Sequence, residues 1–302
     1  MGGSSRAETD PAFASDWIYE TVDELPRGQG RLALRARMRA LELIEARLPR
    51  AGTEALSFPL RLEIFDAFEG DEAAAATAAR SSTAALLLLG SLDIGRARSG
   101  NRHLPRELAR DAGHGYVFAA AQLALPGPLR SPSQKAHAPD LSGISGPTLL
   151  CRAPATALAA LPLGPTRSMR REGGRELLRP IALFARFELR SGACACVLAR
   201  IPSPLAAEAA ALARLFEAAC AYAGGDPLLV AISAARLERE PMAAAHRFDL
   251  QIPASAAGGE RMLRTVFVRD ARATVNGAGG AVSRPRSLLS DRCALVVELE
   301  PD

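Results

Sequence analysis

The chain has 302 residues, 48% of them hydrophobic, 5% aromatic and 23% charged, with a mean hydropathy near neutral, the profile of a globular protein that can bury about three quarters of its unfolded surface. Its 37 basic residues exceed its 33 acidic ones by four, which excludes a uniformly basic nucleic-acid coat, and its apolar runs, such as Ala84–Leu89, are far short of the ~20 residues a spanning helix needs. Lys135 is the one lysine, leaving 36 arginines, and alanine makes up about a fifth of the chain, a bias that a GC-rich bacterial coding sequence accounts for.

Residues 1–15 are small and polar and lack the apolar core of a secretory signal, so they are expected to form a disordered leader of a cytoplasmic protein. The knot Asp16-Trp17-Ile18-Tyr19 follows and is expected to dock on its own domain. Over Arg31–Leu48, Leu34, Met38, Leu41, Ile44 and Leu48 recur at helical spacing and predict an amphipathic helix, with Arg27, Arg31, Arg35 and Arg39 as a stripe on its outer side. Phe58–Phe65 alternates like a strand. Alanine-rich Ala73–Leu89, capped by Asp71 and stopped at Gly90, predicts a second helix. A short helix over Leu104–Ala112 and a buried strand over Gly115–Leu125 complete an expected N-terminal α/β subdomain, residues 16–125.

Residues 126–147 mix five prolines with Gly and Ser and carry no apolar period, which marks a loop or linker. The C-terminal subdomain, residues 148–302, reads ββαββββ. Ile181–Leu189 and Cys194–Ile201 flank the turn Arg190-Ser191-Gly192-Ala193 as a hairpin. A helix follows with Ser203 as its N-cap, Pro204 in its first turn and Gly224-Gly225 as its stop. Strands are expected over Leu228–Leu237, His246–Ile252, Met262–Val268 and Ala294–Leu299. The expected fold class is α+β, a mainly antiparallel sheet with helices packed on one face, in one domain or two subdomains.

Five cysteines, Cys151, Cys194, Cys196, Cys220 and Cys293, form no CxxC pair and indicate a reducing compartment. Cys194 and Cys196 share one face of a strand, where core packing is expected in place of metal ligation, and no metal or cofactor is expected. Asn276-Gly277-Ala278-Gly279-Gly280 leads to Arg284 and Arg286, a glycine-arginine loop suited to an anion, but it matches neither nucleotide fingerprint. Arginines bunch at Arg96–Arg110, including Arg98 and Arg102, and at Arg167, Arg170, Arg171, Arg175 and Arg179. Together with Arg31, Arg35, Arg39, Gly277, Gly279, Arg284 and Arg286 these are the candidate contacts to a phosphate backbone. Among the four histidines, His114 between Gly113 and Gly115 is the candidate base of a Cys151–His114–Asp111 arrangement.

The expected function is a non-catalytic cytoplasmic protein that holds nucleic acid or another polyanion through arginine clusters as a subunit of a complex with protein partners. Two alternatives stand beside it: an assembly protein without nucleic-acid affinity, and a hydrolase or transferase with a site near His114.

Overall fold

A computed structural model describes residues 18–19, 41, 44–49, 56–65, 72–125, 143–171, 174–190, 192–201, 208–234, 245, 247–251, 254–255, 266–277 and 295–301. Two sheets face each other. The larger runs in the order β1 (Ile18–Tyr19), β2 (Ile44–Arg47), β5 (Gly115–Ala119), β7 (Ile144–Cys151), β4 (Leu86–Ile94), β3 (Leu60–Phe65), β17 (Leu295–Pro301), β16 (Ala271–Gly277) and β14 (Ala254–Ser255). A branch of β6 (Gln122–Leu125), β10 (Gly174–Leu178) and β9 (Arg167–Arg171) leaves it at β7. The smaller sheet is β15 (Val266–Arg269), β13 (Leu228–Ala234), β12 (Gly192–Ile201), β11 (Ile181–Leu189) and β8 (Ala155–Pro162).

Strand alternation divides the apolar residues into three layers. Leu62, Ile64, Leu86, Leu88, Leu149, Leu183, Phe187, Leu198, Leu229 and Ala231 fill the gap between the sheets. On the outer face of the larger sheet, Leu87, Leu89, Phe118 and Leu150 meet α1 (Glu72–Ser81) and α2 (Leu104–Ala112) through Ala75, Ala79, Leu104 and Leu108. On the outer face of the smaller sheet, Val197, Ala199, Val230 and Ile232 meet α3 (Glu208–Ala223) through Leu212, Leu215, Phe216 and Ala219. The architecture is α/β/β/α, which corrects the expected single sheet with helices on one face. Strands dominate, only three α-helices occur among the described residues, and those three divide between two outer faces.

Particular elements show why the expectation failed. Ile44–Arg47, expected as the end of a helix, is a strand antiparallel to β5, and it puts Ile44 in the inter-sheet core and Glu45 on the opposite face. The rest of that expected helix, residues 31–40, lies outside the described residues. Leu86–Leu89, expected as the end of α1, begins β4 instead. A central strand buries both faces, so its apolar run is continuous and resembles a buried helix. Of the expected strand over His246–Ile252, the described residues 247–251 show one bridge, Gln251 to Val268. β7 begins at Ile144, inside the stretch expected as a linker.

Two connections have the form strand, helix, parallel strand: β3–α1–β4 and β12–α3–β13. The hairpin β11–β12 and the helix stop at Gly224, whose φ is 60°, are as the sequence predicts. Gly146 on β7 shows how closely the larger sheet is built, since a Cβ there would lie 1.9 Å from the carbonyl oxygen of Ala119.

Candidate functional site

The two parallel units point the same way. Leu56, before β3, bridges Leu189, and the Arg190 amide donates to the Leu56 carbonyl at 2.9 Å. Leu189 pairs with Gly192 at the start of β12. The starts of β3 and β12 therefore lie together, and the carboxyl ends of β3, β4, β12 and β13 run toward the opposite edge. There a second link joins the sheets: the Arg179 amide, ahead of β11, donates to the Ala121 carbonyl, after β5, at 2.7 Å. Carboxyl ends of parallel strands are where open α/β sheets place their ligands, because loops diverge there.

At this edge the inward face changes from apolar to polar. On β12, Cys194, Cys196 and Leu198 face the inter-sheet core, and the next residue of that row is Arg200. On β13, Leu229 and Ala231 are followed in the same way by Ser233. Arg200 and Ser233 are in register, are 4% and 3% exposed, and the Arg200 Nη1 donates to the Ser233 Oγ at 2.8 Å. Across the gap, Asp93 of β4, Ser145 of β7 and Gln122 of β6 form one register row on the face opposite Leu92, Ile94, Ile144 and Leu123, which pack under the helices. The Ser145 hydroxyl donates to Gln122 Oε1 at 2.8 Å. Gln122 is fully buried, and its Nε2 has no hydrogen-bond partner among the described residues.

Arginines brace the surroundings of this polar cap. Arg98 holds Asp93 in a fork, Nε to Oδ2 and Nη2 to Oδ1, both at 2.6 Å. Arg96 is buried against Glu176 of β10. Arg179 Nη1 donates to the Leu41 carbonyl at 2.6 Å. A divalent metal centre needs several carboxylate, imidazole or thiolate side chains converging on one point. Here no group of three or more His, Cys, Asp and Glu side chains converges among the described residues, and the Asp93 carboxylate is already held by a guanidinium. The described residues do not fit a divalent metal centre.

Arg98 and Arg102 thus lie in the loop after β4, ion-paired to Asp93 and Glu107. Arg167, Arg170, Arg171 and Arg175 occupy the β9–β10 hairpin, whose Leu178 is in register with Gln122, so the hairpin rises beside the cap, with Arg167 exposed. Gly277 ends β16, while Gly279, Arg284, Arg286, Arg31, Arg35 and Arg39 lie outside the described residues. Arg200, Ser233 and Gln122 were not singled out from the sequence. The signal available was a break in strand alternation, an arginine and a serine standing where the inward row calls for an apolar residue.

The arrangement expected around His114 is not assembled. His114 lies at the other edge, where its Nδ1 contacts the Ala112 carbonyl at 2.7 Å and its Nε2 accepts from Arg152 at 3.3 Å. Asp111 is paired with Arg110, and burial pushes the Cys151 thiol up to about 12, which leaves it protonated and inert.

No family model matches the chain, and no curated protein matches it in sequence. Solved structures match its fold. An endonuclease/exonuclease/phosphatase from Bacteroides vulgatus is 11% identical over 80% of this chain and 99% of its own, with a TM-score of 0.53. An endonuclease/exonuclease/phosphatase family protein from Bacteroides thetaiotaomicron is 12% identical over 80% of this chain and 98% of its own, with a TM-score of 0.50. The human Nocturnin catalytic domain with bound sulfate is 14% identical over 85% of this chain and 99% of its own, with a TM-score of 0.49.

The chain has the endonuclease/exonuclease/phosphatase fold. That finding corrects the expected α+β class and overturns the expected non-catalytic complex subunit, since the proteins sharing the fold are described as endonuclease/exonuclease/phosphatase proteins. Arg96, Arg98 and Arg102 are each paired with a carboxylate. Among the described residues no helix is long and apolar enough to cross a membrane, and nothing identifies a protein partner.

Proposed function

We propose that this protein is a hydrolase of phosphate esters whose reacting phosphoryl group is bound at the carboxyl edge of the sandwich. The observation that carries the reading is the convergence there of the carboxyl ends of both parallel strand units on one buried polar cap. Transferring a phosphoryl group asks mainly for positioned donors and positive charge around its oxygens, and the cap holds a guanidinium, an amide and hydroxyls in a desolvated gap. The neighbouring β9–β10 hairpin, with Arg167, Arg170, Arg171 and Arg175, favours a polyanionic substrate such as a nucleic acid strand over an isolated sugar phosphate. The free thiols of Cys151, Cys194, Cys196 and Cys220 support the cytoplasm as the compartment.

The test is hydrolysis of oligonucleotides, single-stranded and duplex, beside p-nitrophenyl phosphate and a sugar phosphate, with and without added Mg2+ or Mn2+. Turnover of the oligonucleotides is expected. Replacing Arg170, Arg171 and Arg175 with alanine is expected to raise KM by about tenfold at moderate salt and to leave kcat within about twofold, because three positive charges of the hairpin are removed without touching the reacting group. Binding of oligonucleotide without cleavage of any ester under all these conditions removes the reading.

A further inference from the structure

We infer that Arg96 is a positioning residue: through its buried pair with Glu176 it fixes the β9–β10 hairpin against the carboxyl edge, and so holds the hairpin's arginines where a nucleic acid strand at that edge would pass. The inference takes its ligand class from the polyanion reading of the hairpin proposed above. The anchor itself stands on contacts outside that reading.

Strand pairing alone holds this hairpin weakly. Among the described residues β9 pairs with β10 only, β10 meets β6 over Arg175–Leu178, and β6 in turn meets β7 at two residues, Gln122 and Leu123. A two-stranded hairpin is marginal by itself, and one attached through so short a strand is free to pivot unless something else ties it down. Arg96 supplies that tie. Its Nη2 donates to the Glu176 Oε1, both residues are buried, and its Nη1 lies 3.5 Å from the Gly143 carbonyl. That carbonyl also accepts the Ala124 amide at 2.7 Å, and Ala124 is the register partner of Glu176. One guanidinium thus grips the β6–β10 rung from both sides. The rung is two residues, or ~7 Å, along β10 from Leu178, which pairs with Gln122 of the polar cap.

The other end of the tie is rigid. The Arg96 carbonyl accepts the Asn101 amide at 2.8 Å and the Ser99 hydroxyl at 2.9 Å. Beside it the Gly95 amide donates to the Arg102 carbonyl at 2.9 Å, and the Gly95 carbonyl accepts the Gly143 amide at 3.0 Å. The same loop carries Arg98, which forks onto Asp93 of β4, so the hairpin is tied to the strand end that forms the cap. A buried ion pair adds little stability over well-packed apolar residues of the same volume. What it adds here is a single placement of the hairpin, since a charge buried at the end of β4 accepts one partner and one register.

The test compares the full chain as wild type, as the double variant Arg96→Met with Glu176→Leu, and as Glu176→Gln. Anisotropy of a labelled single-stranded oligonucleotide in EDTA gives Kd across a salt series, and hydrogen exchange follows the amides of β9 and β10 beside those of β12 and β13. In the double variant Kd should weaken by about three- to tenfold at moderate salt, with the log-log salt slope shallower by about 1.4, two single-strand phosphate contacts at ~0.7 each. The β9 and β10 amides should exchange about tenfold faster and the β12 and β13 amides at the wild-type rate, because the opening is local. A merely structural role would move the urea midpoint and leave the salt slope alone. Glu176→Gln keeps the shape and removes the charge, so it keeps the test decisive where the double variant fails to fold; about two- to threefold weaker binding is expected. Wild-type affinity and salt slope in the folded double variant or in Glu176→Gln, or no oligonucleotide binding by wild type at low salt, overturns the inference. Ester turnover by wild type beside unchanged binding in the variants removes the anchor and keeps the hydrolase reading. Weakened binding in the variants with no ester turned over by wild type does the reverse.

Discussion

Replacing Glu45 with alanine should unlatch the edge of the larger sheet. Glu45 is 1% exposed, on β2, and its Oε1 gathers the Tyr116 hydroxyl at 2.5 Å, His103 Nε2 at 2.8 Å and Arg106 Nη2 at 3.5 Å. The His103 Nδ1 accepts the Arg106 amide at the start of α2, so its Nε2 carries the proton given to Glu45. Removing the carboxylate deletes two good charge-assisted bonds, each about 1.5–3 kcal/mol, and leaves a phenol and an imidazole donor buried without their acceptor. Relief of the buried charge returns part of this, and a net loss of about 3–4 kcal/mol is expected. Tyr116→Phe removes one donor and strands no group on the tyrosine side, for about 1–2 kcal/mol. Urea unfolding at pH 7, followed by circular dichroism, compares the midpoints, and a thermal scan should place Glu45→Ala roughly 6 °C or more below wild type at ~2 °C per kcal/mol. A Glu45→Ala midpoint equal to or above that of Tyr116→Phe would refute the reasoning, because the carboxylate would then not be the shared acceptor of the cluster.

Two further outcomes follow from the same geometry. Burial draws the His114 imidazole below its usual 6.5, against the raising effect of its bond to the Ala112 carbonyl and with a smaller lowering effect from Arg152, so the folded protein prefers it neutral. Unfolding then takes up a proton: the contribution is complete above about pH 6.5 and is lost as pH falls through the depressed folded value, and His114→Gln should flatten the urea midpoint between pH 7.5 and 5, whereas equal slopes in the two proteins contradict it. Gly146→Ala should cost about 3 kcal/mol or more, since its Cβ would meet the Ala119 carbonyl oxygen at 1.9 Å and that atom belongs to backbone that cannot turn aside; a thermal midpoint unchanged from wild type would show that β5 and β7 part without strain.

Periodicity and punctuation made several elements readable in advance. The turn at Gly192 set the β11–β12 hairpin, and alternation from Leu60 to Ile64 marked β3. Helix α2 was legible from its own stretch, with Pro105 in its first turn and Gly113 after its end at a φ of 68°. All of these depend on residues close in sequence. What was lost depends on partners far away. Ile44–Arg47 has helical spacing, yet it becomes a strand because β5, some seventy residues on, offers an open edge and a pocket for Glu45. Leu86–Leu89 gives no period, because both faces of β4 are covered, one by the second sheet and one by helices.

The candidate site divides in the same way. Composition alone determined that the positive charge of this protein is arginine and that it stays close to balance with acid. Clustering along the chain drew attention to Arg98 and Arg102, which the structure ties to Asp93 and Glu107, and to the hairpin arginines that rise beside the cap. It passed over Arg200, an isolated arginine at the end of an apolar run, and Gln122, an isolated glutamine among alanines. Only the pairing of two βαβ units, turned so that their carboxyl ends share one edge, brings Arg200 and Ser233 of one sheet to the same edge as Gln122 and Ser145 of the other. Those residues lie on strands brought together from distant parts of the chain. Local sequence determines which way a side chain can point along its own strand, and tertiary contact alone decides what it then faces.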